Sequence, residues 1–100
     1  MVDKIKYIYF LGVGGIGMSA IARYFNAMGK SVSGYDKTKT TLTEELESEG
    51  IQIHYNDDIN LINSEIKNNK QDSLIVLTPA VPSDHSELNY FQKNDFTIKK

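Results

Sequence analysis

Apolar and polar positions change their period several times along the chain. Ile5-Lys6-Tyr7-Ile8-Tyr9-Phe10-Leu11 is a strand-like apolar run that passes directly into Gly12-Val13-Gly14-Gly15-Ile16-Gly17-Met18-Ser19. From there Met18, Ile21, Ala22, Phe25 and Met28 recur at the spacing of a helix face turned to a core. Gly29 is a natural helix stop. Ser31-Val32-Ser33-Gly34-Tyr35-Asp36 predicts a second strand. Thr41 and Glu44 have the spacing of a capping box for a short acidic helix, with Leu42 and Leu46 inward and Gly50 at its end. Ile51-Gln52-Ile53-His54 alternates as a short third strand. Ile59, Ile62 and Ile66 predict a weaker helix that trails into the polar loop Lys67-Asn68-Asn69-Lys70-Gln71.

Ser73-Leu74-Ile75-Val76-Leu77 is continuously apolar, as in a strand covered on both faces. Thr78-Pro79-Ala80-Val81-Pro82 ends it, because proline cannot donate to a ladder. Asp84 with Glu87 predicts the cap of a last helix carrying Leu88 and Phe91, and Phe96-Thr97-Ile98 a fifth strand. Tyr7, Tyr9 and Phe10 belong to the expected core, and Glu44, Glu45, Glu47 and Glu49 to a solvated helix face. Strands alternating with helices imply right-handed βαβ units. The expected fold is α/β, a Rossmann-like parallel five-stranded sheet in the order 3-2-1-4-5 with helices on both faces. It takes up residues 1–100 as one domain. The chain stops at Lys99-Lys100 directly after a strand, which is expected of a domain belonging to a longer polypeptide.

Composition removes several function classes. With 40% apolar and 24% charged residues, 100 residues suit one globular core. A net charge of -2 gives no electrostatic case for nucleic acid or an anionic membrane surface. No run reaches the roughly 20 apolar residues of a membrane span, and Met1-Val2-Asp3-Lys4 leads into a strand without a signal-peptide pattern. The absence of cysteine excludes disulfides and thiolate chemistry and fits a cytoplasmic home.

The glycine turn carries the chemistry. Strand, G-x-G-x-x-G and helix start together make an anion site, where helix N–H groups and the helix dipole meet a phosphate. On this pattern the first glycine permits a tight turn and the second admits a pyrophosphate. The third lets the helix pack against the strand. In a 3-2-1-4-5 sheet, ligands bind beyond the carboxyl ends of strands one and four, so the loop from Thr78 to Val81 faces the same ligand. Thr78 either offers a hydroxyl and backbone to phosphate or ribose, or merely ends the strand. Asp36 lies about 20 residues past the turn, where a carboxylate accepts from a ribose hydroxyl; the alternative is a local turn with Lys37 and Thr38. Lys37 and Lys39 would suit a 2′-phosphate, but the adjacent acid opposes it. Ser19 on the first helical turn can donate to phosphate or simply face solvent. His54 and His85 have no partners at metal-ligand spacing and read as structural, although His54 could edge the crevice. No nucleophile–base pair and no G-x-x-x-x-G-K-[ST] loop occurs, so the chain is expected to hold a ligand without turning it over.

The longer string Phe10-Leu11-Gly12-Val13-Gly14-Gly15-Ile16-Gly17-Met18-Ser19-Ala20-Ile21-Ala22 resembles the opening of the Mur ligases of peptidoglycan synthesis. Val32-Ser33-Gly34-Tyr35-Asp36 is similar to the family's Val-Ser-Gly-Ser-Asp. The family's Ser-Ser-Ala-Ile after strand four is here Thr78-Pro79-Ala80-Val81, and its Gly-His after strand three aligns with His54-Tyr55. The resemblance covers the first of three family domains. It implies the branch that joins L-alanine to UDP-N-acetylmuramate through an acyl phosphate, with ATP and Mg2+ served by a central domain outside this chain. It also implies that Gly12, Val13, Gly14, Gly15, Ile16, Gly17, Ser19, Asp36, Thr78, Pro79 and Ala80 contact the UDP-sugar, with His54 and Tyr55 as further candidates. The backbone N–H groups from Gly14 to Gly17 would take the diphosphate. No catalytic residue, metal or cofactor is expected within the chain, and its partners are this small molecule and the remaining domains of the polypeptide. Two rival readings are the NAD(P)-binding half of a dehydrogenase and a nucleotide-sensing regulatory module.

Overall fold

The alternating apolar strands form one parallel sheet. In a computed structural model, which describes residues 4–100, the strands are β1 (Tyr7–Leu11), β2 (Ser31–Tyr35), β3 (Gln52–His54), β4 (Ser73–Leu77) and β5 (Thr97–Lys99). The leaderless start read on Met1, Val2 and Asp3 lies outside the described residues. The sheet runs β3-β2-β1-β4-β5 with every pair parallel, the expected topology. In register, Leu11 stands beside Tyr35 on one side and Leu77 on the other, and Tyr35 beside His54. The carboxyl ends of four strands are therefore level, and the loops that leave them share one rim.

Side chains alternate across the pleat, so each strand feeds two cores. Ile8, Phe10, Val32 and Val76 meet Ala22 of α1 (Ile16–Ala27) and Leu46 of α2 (Thr41–Ser48) on one face. Tyr9, Leu11, Ile75 and Leu77 meet Ile66 of α3 (Ser64–Asn68) and Leu88 and Phe91 of α4 (Ser86–Lys93) on the other. Burying both faces explains why β1 and β4 read as continuous apolar runs.

Four local expectations need correction. The capping box of α2 is Thr40 with Thr43, not Thr41 with Glu44: Thr40 Oγ1 accepts from the Thr43 N–H and Thr43 Oγ1 accepts from the Thr40 N–H. A buried threonine hydroxyl thus does the work of the usual glutamate, and Glu44 stays exposed. The helix expected over Ile59, Ile62 and Ile66 is instead a single 3-10 turn, Ile59–Leu61, an extended Ile62 and the short α3. Asp58 accepts from the Asn60 N–H and Asn63 from the Glu65 N–H, so two consecutive caps cut the segment in half. Helix α1 turns Met18, Ser19, Ala22 and Phe25 inward, whereas Ile21 and Met28 are exposed beside Tyr24. Finally, α4 starts after His85 rather than Asp84, and Glu87 is fully buried rather than part of a cap.

Candidate functional site

The rim where β1, β2 and β4 end holds a cleft of about 460 Å³, within the ~300–1,000 Å³ of small-molecule sites. It lies at the switch point between β1 and β4, where neighbouring crossovers leave in opposite directions. Gly12, Gly15, Gly17 and Met18 form one wall. Tyr35, Asp36 and Lys37 form the second, and Thr78, Ala80, Val81, Pro82 and His85 the third. Two loops far apart in sequence, after β1 and after β4, thus flank one space.

Each glycine of the turn has its own physical reason, and two differ from the expected roles. Gly12 has a φ of 95°, and a Cβ there would overlap the Thr78 Cγ2 methyl, so the first glycine both turns the chain and lets the two loops touch. Its N–H and that of Val13 both donate to the Tyr35 carbonyl (2.8 and 3.1 Å), which pins the turn to β2. Gly14 faces protein rather than ligand: a Cβ would come within 2.7 Å of Asp36 Oδ2 and 2.9 Å of Thr43 Cγ2. Gly17 does not serve close helix–strand packing, because a Cβ there would meet nothing within 4 Å. Gly15 and Gly17 are the bare positions on the cleft wall. Gly15 caps α1 with no side-chain acceptor, and no acidic residue follows in the first turn. The first intrahelical donor is Ser19, to the Gly15 carbonyl (2.7 Å). The N–H groups of Ile16, Gly17 and Met18 precede it and have no partner within the helix.

The other predicted positions divide. Asp36 lines the cleft, but Oδ2 accepts from the Gly14 N–H at 2.7 Å and Oδ1 from the Thr38 N–H at 3.0 Å. Its carboxylate is therefore a clasp on the glycine turn as well as a turn former. Ser19 is buried and its hydroxyl donates to the Ile16 carbonyl at 2.9 Å, away from the cleft. Val13 is core. Ile16 is 87% exposed, so it offers the cleft a backbone group and not a packed side chain. Thr78 and Ala80 line the cleft; Thr78 Oγ1 accepts from the Ala80 N–H (2.9 Å) and keeps its own proton to donate. Pro79 is exposed at the rim of the same turn. Lys37 adds an exposed positive charge to the cleft wall.

His54 and Tyr55 stand apart from the cleft. His54 Nε2 lies 2.6 Å from Glu87 Oε2, and Glu87 Oε1 accepts the Tyr9 hydroxyl at 2.6 Å. Glu87 also accepts the Asp58 N–H at 3.2 Å. Burial, then the Glu87 charge, pushes the Tyr9 phenol far above its ordinary range, so it remains a donor to that carboxylate. The Tyr55 hydroxyl donates to Glu47. His85, by contrast, is drawn into the cleft wall, 5% exposed, with its ring edge-on to Tyr35 at 4.6 Å between centroids. Burial, then Asp57, Glu87 and Asp36, raises the Tyr35 phenol, which stays protonated in that wall. Asp57 accepts from the Ser86 N–H (2.8 Å) and the Glu87 N–H (3.0 Å) at the start of α4. Burial works to raise its carboxyl, but those two N–H groups and His85 outweigh it and hold it below the usual range. Sequence pattern could not single out His85, because its place depends on the β4 loop and Asp57 together. Among the described residues no group of three or more His, Cys, Asp or Glu could hold a metal ion.

This site can hold an anion against α1 and a flat or apolar group against Tyr35, Val81 and Pro82. Comparison with known proteins narrows the choice. The model of the Mur ligase family, catalytic domain, matches residues 7–100. The UDP-N-acetylmuramate–L-alanine ligase of Christiangramia forsetii is 53% identical over 98 residues, 98% of this chain and 22% of that protein. The enzyme of the same name from Porphyromonas gingivalis is 54% identical over 96 residues, 96% of this chain and 21% of that protein. Among solved structures, the UDP-N-acetylmuramate-alanine ligase of Thermotoga maritima superposes with a TM-score of 0.80 at 30% identity. It covers 93% of this chain and 20% of that one. The chain spans about a fifth of the length of the curated relatives it matches.

Proposed function

The chain belongs to the Mur ligase family, and from that premise we propose that it is the sugar-nucleotide holder of an enzyme that joins L-alanine to UDP-N-acetylmuramate. As a single domain over residues 1–100, it grips the substrate while the remaining domains of the polypeptide supply ATP and Mg2+. Among the described residues no cluster of His, Cys, Asp or Glu could hold that metal. The setting is cytoplasmic; among the described residues no helix is long and apolar enough to cross a membrane.

One observation carries the reading: the amino end of α1 faces the switch-point cleft through two bare glycines, with no acid in its first turn. The diphosphate sits on the N–H groups of Ile16, Gly17 and Met18, where the helix dipole favours negative charge. The Gly14 N–H is held by Asp36, so this carboxylate shapes the turn that receives the phosphates. Thr78 donates its hydroxyl from the opposite loop, and the uridine lies towards Tyr35, Asp36 and the Thr78 turn.

Titration with UDP-N-acetylmuramate, UDP, NADH and ATP, followed through the amide resonances of Gly15 and Gly17, tests this. The UDP compounds should shift both signals in a saturable way. A response to NADH with none to UDP overturns the reading in favour of a dehydrogenase half.

A further inference from the structure

Among the described residues, His85 Nε2 is the one buried side-chain nitrogen or oxygen without a hydrogen-bond partner. Leaving such a group unpaired costs about 1–3 kcal/mol, so folded proteins rarely keep one without a reason. The rest of the ring is anchored. Nδ1 accepts the Leu88 N–H (3.4 Å), capping α4, and lies 3.2 Å from Asp57 Oδ1. Asp57 is itself fixed by the Ser86 and Glu87 N–H groups. Because Nδ1 accepts the Leu88 N–H, the neutral ring carries its proton on Nε2, a donor left without an acceptor. His85 lies in the cleft wall with Tyr35 packed edge-on against it at 4.6 Å.

We infer that His85 is a ligand-contact residue whose Nε2–H donates a hydrogen bond to an oxygen of the nucleoside diphosphate in the cleft. The inference rests on the sugar-nucleotide reading above and adds a residue to it. Tyr35 lines the same cleft. Uracil offers two carbonyl oxygens and ribose its hydroxyl oxygens, so either part of the nucleoside can supply the acceptor, while the diphosphate is held across the cleft by α1.

Two substitutions separate this role from a structural one. An asparagine amide reaches the place of Nδ1, and a glutamine amide the place of Nε2. His85→Asn should keep the cap contact with the Leu88 N–H, melt near the wild-type temperature and bind UDP about three- to tenfold more weakly, the loss of one hydrogen bond. His85→Gln should melt lower yet retain more of the UDP affinity. In ¹⁵N-histidine spectra of the wild-type chain, UDP should move the Nε2 resonance of His85. CDP, in which an amine replaces one uracil carbonyl oxygen, and 2′-deoxy-UDP identify the acceptor: discrimination against one of them should shrink in His85→Asn. Unchanged UDP affinity in His85→Asn, or undiminished discrimination against both analogues, overturns the inference and leaves the sugar-nucleotide reading standing. A wild-type chain that ignores UDP removes both.

Discussion

Helices α1 and α4 begin at the same rim of the sheet, yet their amino ends are finished in opposite ways. At α4 the carboxylate of Asp57, from the loop after β3, accepts from the Ser86 and Glu87 N–H groups, and His85 stands at the cap. At α1 the cap is a glycine without a side chain and the first turn has no acid. The two ends carry the same excess of unpaired N–H groups and the same positive dipole end. One is neutralised from within the chain. The other has no side-chain acceptor from within the chain, and the Asp36 carboxylate across the cleft accepts from the Gly14 N–H instead. A helix end stays open when the fold withholds its internal acceptor.

The closed end should break hardest at Glu87, which lies in the first turn of α4 and is fully buried. Glu87→Ala leaves the Tyr9 hydroxyl, His54 Nε2 and the Asp58 N–H without their acceptor. A loss of about 3 kcal/mol is expected in denaturant unfolding. A loss below about 1 kcal/mol would mean that water replaces the carboxylate and that the end is not sealed.

Asp57→Ala should cost less, about 1–2 kcal/mol, as for loss of a helix cap. Its sign with pH follows from linkage. The folded carboxyl titrates below its ordinary range, so its contribution is complete above the unfolded value of about 3.9 and fades as pH falls through the folded one. Melting curves of the two proteins should therefore converge below about pH 4. A gap that persists into strong acid would assign the effect to packing.

The smallest effect on stability, and the sharpest on binding, is expected at the open end. Gly17→Asp places in α1 the internal acid that α4 already has, in space where a Cβ meets nothing within 4 Å. Stability should change by no more than about 0.5 kcal/mol, while UDP affinity falls roughly tenfold or more, ~1.4 kcal/mol. Full affinity in Gly17→Asp would place the anion elsewhere.

Most of the frame was legible because its signals are local. Period-two and continuous apolar runs marked all five strands, and a glycine turn between strand and helix marked one wall of the cleft. Errors clustered where a side chain several residues or a whole crossover away decides the outcome. Thr43 outcompeted Glu44 for the cap because it is buried against the turn at Gly14. Glu87 had the spacing of a cap residue but was claimed by Tyr9, 78 residues away in sequence. His85 read as an isolated histidine, since neither Asp57 nor Tyr35 is near it in sequence.

By itself, then, the sequence determined the parallel βαβ frame, the sheet order and the place of the glycine turn between β1 and α1. Apolar periodicity, prolines and glycines act within a few residues, and crossover handedness does the rest. Only the tertiary structure decided which N–H groups stay open, which carboxylates are spent on the protein's own backbone and which histidine enters the cleft. Each of those outcomes is a competition between groups brought together by packing, and spacing along the chain does not record who wins.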